Sequence, residues 1–109
     1  MIDWGRVAEL RDEIGDDGFD DVVDLFIEET DEVVAGLAAL SGGADIEKAL
    51  HFLKGSALNL GFTDLATLCQ AGERQAAAGA AQAVDRERLG QVYAETRRIF
   101  LGRLRRSAA

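Results

Sequence analysis

Apolar residues recur along this chain in steps of three and four, the period of helices buried along one stripe. Asp3 predicts the N-cap of a short helix that ends near Gly15, with Trp4, Val7, Leu10 and Ile14 as its apolar edge. A second helix is expected from about Asp17. Its inward stripe reads Phe19, Val22, Val23, Phe26, Thr30, Val33, Val34, Leu37 and Leu40, and Asp20, Asp21, Asp24, Glu28, Asp31 and Glu32 fall mostly between these positions. Ser41-Gly42-Gly43 reads as a turn. Asp45 is expected to cap a third helix that runs to Gly61, a natural C-terminal stop. Thr63 is expected to cap a fourth, with Leu65, Leu68, Cys69 and Ala76 inward.

The alanine-rich Gln75–Ala83 run reads as a loosely packed helix end, with a soft boundary at Gly79–Ala83. A fifth helix is expected over about Asp85 to Arg105, burying Leu89, Val92, Tyr93, Thr96, Ile99 and Phe100. No alternating strand pattern competes with these helices. The expected fold is all-α: an antiparallel up-down four-helix bundle, with the short N-terminal helix lying over one end. Residues 1–109 are read as a single domain.

Composition narrows the function classes. The 109 residues are 48% hydrophobic and 29% charged, enough apolar material for one core. Proline is absent, so long helices meet no breaker. The net charge of −8 is unevenly placed: residues 1–50 carry 15 acids against three bases, residues 51–109 five against nine. An acidic body argues against nucleic acid and anionic membrane as partners. Arg97, Arg98, Arg103, Arg105 and Arg106 gather at the end of the last helix, where cations complement the helix dipole. One cysteine and one histidine exclude an internal disulfide and any multi-histidine metal site. The start MIDWGRVAELRDEIGDD lacks the layout of a signal peptide, and the expected setting is the cytoplasm.

The third helix carries the chemistry. With about 100° per residue and Leu50 at zero, Ile46, Ala49, Leu53, Ala57 and Leu60 cluster near about 310°, the core direction. His51 then falls at about 100°, Lys54 at about 40°, Leu58 at about 80° and Gly55 at about 140°. The single imidazole therefore points away from the core. Gly55, four residues on, costs about 1 kcal/mol relative to alanine in a helix interior and clears space beside the ring. Leu58 completes an exposed, partly apolar stripe. Lys54, i+3 from His51, could neutralise an anion carried on that ring. A place where another protein approaches an imidazole nitrogen accounts for all four. Three of them taken alone also have a plain structural account: a solvated histidine, a packing glycine, a solvated lysine.

The run His51-Phe52-Leu53-Lys54-Gly55-Ser56-Ala57-Leu58-Asn59-Leu60-Gly61 resembles the signature of the histidine-containing phosphotransfer family, usually written H-x-L-K-G-S-A-x-N-L-G. It matches at every specified position. Leu65-Ala66-Thr67-Leu68-Cys69-Gln70-Ala71-Gly72-Glu73 is similar to the family's next helix, with Gly72 where leucine is more usual. Leu58 fills a variable position often held by a small residue.

The resemblance implies that His51 is the phosphoacceptor, through Nε2, and attacks the aspartyl phosphate of a response-regulator receiver domain. It implies that Lys54 offsets the phosphoryl charge and that Gly55 and Leu58 meet the partner. Ser56 is expected to back-bond to the preceding turn. Asn59 is either an accessory polar contact or solvated. Glu73 either bonds Nδ1–H and fixes the tautomer or is a plain surface glutamate. The implied protein is a monomeric phosphocarrier between a sensor histidine kinase and a receiver. It has no ATP site and no cofactor or metal of its own, the receiver bringing metal and aspartate. An adaptor that docks on receivers without carrying phosphate is the alternative. A detached substrate domain of a chemotaxis-type kinase fits less well, because its motif usually reads Gly-Gly where this chain has Gly55-Ser56.

Overall fold

The computed structural model describes residues 1–108, with side chains through Leu104. Its helices are α1 (Trp4–Ile14), α2 (Asp16–Leu37), α3 (Gly43–Leu60), α4 (Thr63–Ala77) and α5 (Arg86–Ala108), with one 3-10 turn at Ala81–Ala83. Among the described residues the only β pairing is an isolated antiparallel bridge between Ile2 and Phe62. The chain is thus all-helical, and no described helix is long and apolar enough to cross a membrane.

Asp3 caps α1 as expected, its carboxylate accepting from the Arg6 amide at 3.1 Å, and Gly15 ends the helix. Asp85 caps α5 in the same way, accepting from the Arg88 amide at 2.9 Å. Two expected caps are corrected. Helix α3 begins at Gly43 with Gly42 in the capping position, so Asp45 lies inside the first turn, where its charge still complements the helix dipole. Helix α4 is preceded by Phe62 rather than capped by Thr63. The Thr63 hydroxyl instead donates to the Met1 carbonyl at 3.0 Å and ties down the N-terminal segment. Helix α2 stops at Leu37, short of the expected Leu40, and an arginine from α5 satisfies its end. Arg86 Nη1 donates to the carbonyls of Leu37 at 2.9 Å and Leu40 at 2.7 Å.

The Gln75–Ala83 run holds a helix end as expected, with a 3-10 turn that the pattern did not show. Helix α4 ends at Ala77, Gly79 takes a positive φ, and the 3-10 turn then buries Ala81, with Val84 buried after it. The run is thus the exposed end of α4 followed by a short connection, anchored in the core at Ala76 and Ala81.

The core is built from the helix stripes. On α2 the buried residues are Phe19, Val23, Ile27, Thr30 and Leu37, while Val22, Phe26, Val33 and Val34 are only half-buried. The stripe is therefore rotated toward Ile27, which the periodicity did not single out. On α3 they are Ile46, Leu50, Leu53, Ser56, Ala57 and Leu60, with Ala49 at the margin. Helix α4 contributes Leu65, Ala66, Cys69, Gly72 and Ala76, and α5 Leu89, Val92, Tyr93, Thr96 and Phe100; Leu68 and Ile99 are half-buried. The hydroxyls of buried Thr30 and Thr96 bond back to the carbonyls of Phe26 at 2.6 Å and Val92 at 2.7 Å, so neither is left unpaired. Trp4 of α1 stacks on Phe100, and Phe62 meets Phe100 edge-on at 5.1 Å. This aromatic group fastens α1 over that end of the core.

Helices α2 and α5 share a polar strut. Asp31 accepts from the Tyr93 hydroxyl at 2.6 Å and from Arg97 at 3.0 and 3.1 Å. The C-terminal arginines thus have specific partners beyond the helix dipole: Arg97 on Asp31, Arg98 on Glu95, and Arg103 over the Trp4 ring. The side chains of Arg105 and Arg106 lie outside the described residues.

Candidate functional site

The site is set by how α4 folds back along α3. Gly61 ends α3 in the left-handed region at φ 76°, and a Cβ there would stand 2.6 Å from the Asp3 carbonyl oxygen, so only glycine fits. The Phe62 amide closes the end of α3 on the Ala57 carbonyl at 2.7 Å, and the Asp3 amide bonds the Gly61 carbonyl at 2.7 Å. This pinned two-residue turn fixes the register of the helix pair. Residue 54 then faces residue 70, and residue 51 faces residue 73.

His51 stands on the outer face of α3 with 73% of its side chain exposed. Its Nδ1 lies 3.2 Å from Glu73 Oε2. Glu73 is only 16% exposed, and Lys54 Nζ lies 2.9 Å from its other oxygen, Oε1. Burial raises the Glu73 carboxyl's pKa, but the close approach of the Lys54 ammonium and then of His51 outweighs it and holds the group below the ordinary glutamate value. Glu73 is therefore an anion near neutral pH. A carboxylate can only accept, so its contact with the neutral ring is a hydrogen bond when the proton sits on Nδ1. That tautomer leaves the Nε2 lone pair free. Glu73 is thus no plain surface side chain: the structure brings it to His51.

Lys54 is oriented differently from the simplest expectation. Its ammonium turns toward α4, with 21% of the side chain exposed. The 2.9 Å approach to Glu73 Oε1 is close, yet that buried oxygen receives no aligned hydrogen bond. It is a charge contact. The aligned bond from Nζ goes to Gln70 Oε1 at 3.1 Å. Gln70 is the residue that motif reading missed. It sits one turn before Glu73 on the same face of α4, a position the register of the pair would have revealed.

The surroundings of the ring are open. A Cβ built on Gly55 meets nothing within 4 Å. Leu58 is 58% exposed, and Phe52 is also an exposed apolar side chain, so the imidazole stands on an apolar rim. Ser56 is buried at the edge of the core, but the expected back-bond of its hydroxyl is not formed among the described residues. Asn59 is exposed, and its backbone carbonyl, not its side chain, is engaged, accepting from Arg6 Nε at 3.2 Å. Behind the site, Cys69 is buried and its thiol is pushed up to about 12 by burial and then by the Glu73 charge, with Lys54 opposing. It is no nucleophile.

Gly72 gains a reason here. A Cβ at this position would stand 2.9 Å from Leu50 Cδ1 and 3.3 Å from Val84 Cγ1. The space of the side chain is already filled by these two, and Glu73 reaches His51 regardless.

No curated protein and no solved structure gives a significant match to the chain. The family model of the Hpt domain matches residues 21–105. The matched stretch contains His51 to Gly61 and Glu73 and leaves α1 outside. Because it takes in most of the 109 residues, the chain belongs to the Hpt domain family, whose members are phosphocarriers in the histidine phosphotransfer of two-component signalling.

Proposed function

We propose that His51 carries a phosphoryl group on Nε2, taken from or returned to the aspartate of a response-regulator receiver domain. The observation that carries this reading is the pairing of an ionised, partly buried Glu73 with Nδ1 of an exposed ring. In the forward step the Nε2 lone pair forms the N–P bond as the aspartyl O–P bond breaks, and aspartate leaves as the carboxylate. The proton stays on Nδ1, so positive charge develops in the ring, and Glu73 stabilises it where it forms. Return of the group to an aspartate retraces the same path.

Gly55 gives the receiver's active-site loops room beside the ring, and Leu58 supplies apolar contact. Lys54 carries the positive charge that a phosphoryl group one turn away needs. Residues 1–109 act as one domain, in which α2 to α5 form the up-down four-helix bundle and α1 is accessory. The partners are receiver domains and a sensor histidine kinase. The protein works as a cytoplasmic monomer without a nucleotide of its own.

The test is transfer of radiolabelled phosphate from a set of phosphorylated receivers. Label on this protein should be acid-labile and base-stable, and absent in His51→Gln at unchanged helical content. Label retained by that variant refutes the carrier role. Receiver binding with no label on the wild type would favour the docking adaptor instead.

A further inference from the structure

Resting on the reading of His51 as phosphoacceptor, we propose that Gln70 is a positioning residue that holds Lys54 in reserve on α4, so that release from Gln70 sets how far the protein is phosphorylated at equilibrium. The ammonium of Lys54 has two neighbours, and both belong to α4: Gln70 Oε1 at 3.1 Å and Glu73 Oε1 at 2.9 Å. Only the first is an aligned hydrogen bond, since Glu73 Oε1 has no hydrogen-bond partner. The amide of Gln70 therefore shares with the Glu73 charge in directing the lysine head, and it is the part that draws the head along α4. Gln70 lies three residues before Glu73, about 4.5 Å farther along the helix toward the Gly61 turn. Glu73 faces His51, so the pull of Gln70 is away from the ring.

A phosphoryl group on Nε2 would bring two negative charges to a face where the ammonium one turn on, that of Lys54, is so held. Lys54 Nζ has three donors. Gln70 lies on the side away from the ring, so swinging the head toward the phosphoryl oxygens while it stays near Glu73 lengthens and, in this proposal, breaks the bond to Gln70. The two states thus compete for one ammonium: with Gln70 in the free protein, with the phosphoryl group in the loaded one. A ligand of one state shifts the balance by the difference in what it offers each. Gln70 stabilises the unphosphorylated form only.

The consequence is a sign that a merely structural glutamine would not produce. Gln70→Met keeps the length and helix propensity but removes the acceptor. The equilibrium constant for phosphoryl transfer from a phospho-receiver should then rise about three- to tenfold, the value of one partly exposed hydrogen bond to a charge. Gln70→Glu offers Lys54 a charged acceptor and should lower the constant by at least about threefold. Both shifts should vanish when Lys54→Ala is added, since the held group is then gone.

The experiment measures label partition between one phospho-receiver and the wild-type, Gln70→Met, Gln70→Glu and Lys54→Ala proteins and the two double variants. Receiver affinity and thermal unfolding are measured alongside. If the wild type takes no label, the phosphoacceptor reading fails at once. If it takes label but Gln70→Met and Gln70→Glu both stay within about twofold of it, the reserve position is refuted. Shifts of the same sign in both variants, or shifts that persist without Lys54, refute it equally. Opposite shifts that depend on Lys54 support it.

Discussion

Gly55 separates the requirements of the fold from those of the partner, because its substitution should raise stability and damage transfer together. Its φ is not positive, unlike those of Gly15, Gly61 and Gly79, and a Cβ there meets no atom within 4 Å. Gly55→Ala therefore gains helix propensity with nothing to oppose it, about 1 kcal/mol. In a domain of this size that raises Tm by about 4 °C. Gly55→Glu gains somewhat less and adds a carboxylate one turn from His51, about 6 Å away. Against a doubly charged phosphoryl group the repulsion is about 1.4 kcal/mol even in bulk water, a factor of about ten. The side chain also fills the space a receiver would enter, so transfer to Gly55→Glu should be slowed at least tenfold, and to Gly55→Ala by less.

Thermal unfolding followed by circular dichroism gives the first quantity, and rapid-quench transfer from a phospho-receiver the second. A lower Tm for Gly55→Ala would show that the helix face is not open. Transfer to Gly55→Glu within about threefold of wild type, roughly 0.7 kcal/mol in the barrier, would refute the close approach.

Two further outcomes test the packing and charge behind the site. Gly72→Leu should have the opposite sign to Gly55→Ala, losing about 1–3 kcal/mol to overpacking against Leu50 and Val84, and a denaturant midpoint at or above wild type would contradict the packing. Glu73 is held below its ordinary value of 4.5 in the folded protein, so its contribution to stability is fully present above that pH and is lost as the pH falls through its lower folded value. Urea unfolding from pH 6 to pH 3 should therefore show a wild-type decline below about pH 4.5 that is shallower in Glu73→Gln. Asp31, held low in the same sense against its own burial by Arg97 and Tyr93, contributes a decline common to both proteins. Parallel curves would mean that the Glu73 contacts add nothing to the fold.

The helices and the exposed face at His51 were legible because a 3.6-residue period states directly which side of a helix is apolar. That period is ambiguous where apolar residues come in adjacent pairs. On α2, Val22–Val23 and Phe26–Ile27 offer two neighbouring stripes, and the choice between them depends on which helices pack there. Capping was legible at Asp3, where the side chain itself bonds the first turn. It was misread at Thr63, whose hydroxyl is claimed by the Met1 carbonyl, a contact across 62 positions that no local pattern contains. Gln70 and the direction of Lys54 were illegible for a related reason. Both depend on the register of α3 against α4, which the Gly61 turn and the Asp3 bond to it determine.

That register also explains how a chain with glycine at position 72 brings Glu73 to the histidine. Leu50 and His51 are consecutive on α3, and Gly72 and Glu73 are consecutive on α4. Within each pair one residue points into the core and the other outward. Leu50 is fully buried, and its Cδ1 lies so close to Gly72 that a Cβ there would be only 2.9 Å away. The interior contact between residues 50 and 72 and the exterior contact between residues 51 and 73 are therefore two sides of one seam. A larger residue at 72 would have to push the helices apart or turn one of them. A smaller one at 50 would leave a cavity. The close packing that glycine permits beneath the site fixes the helix separation, and that separation sets the 3.2 Å between Nδ1 and the carboxylate. The chemistry on the surface is held in place by a hydrophobic contact directly under it.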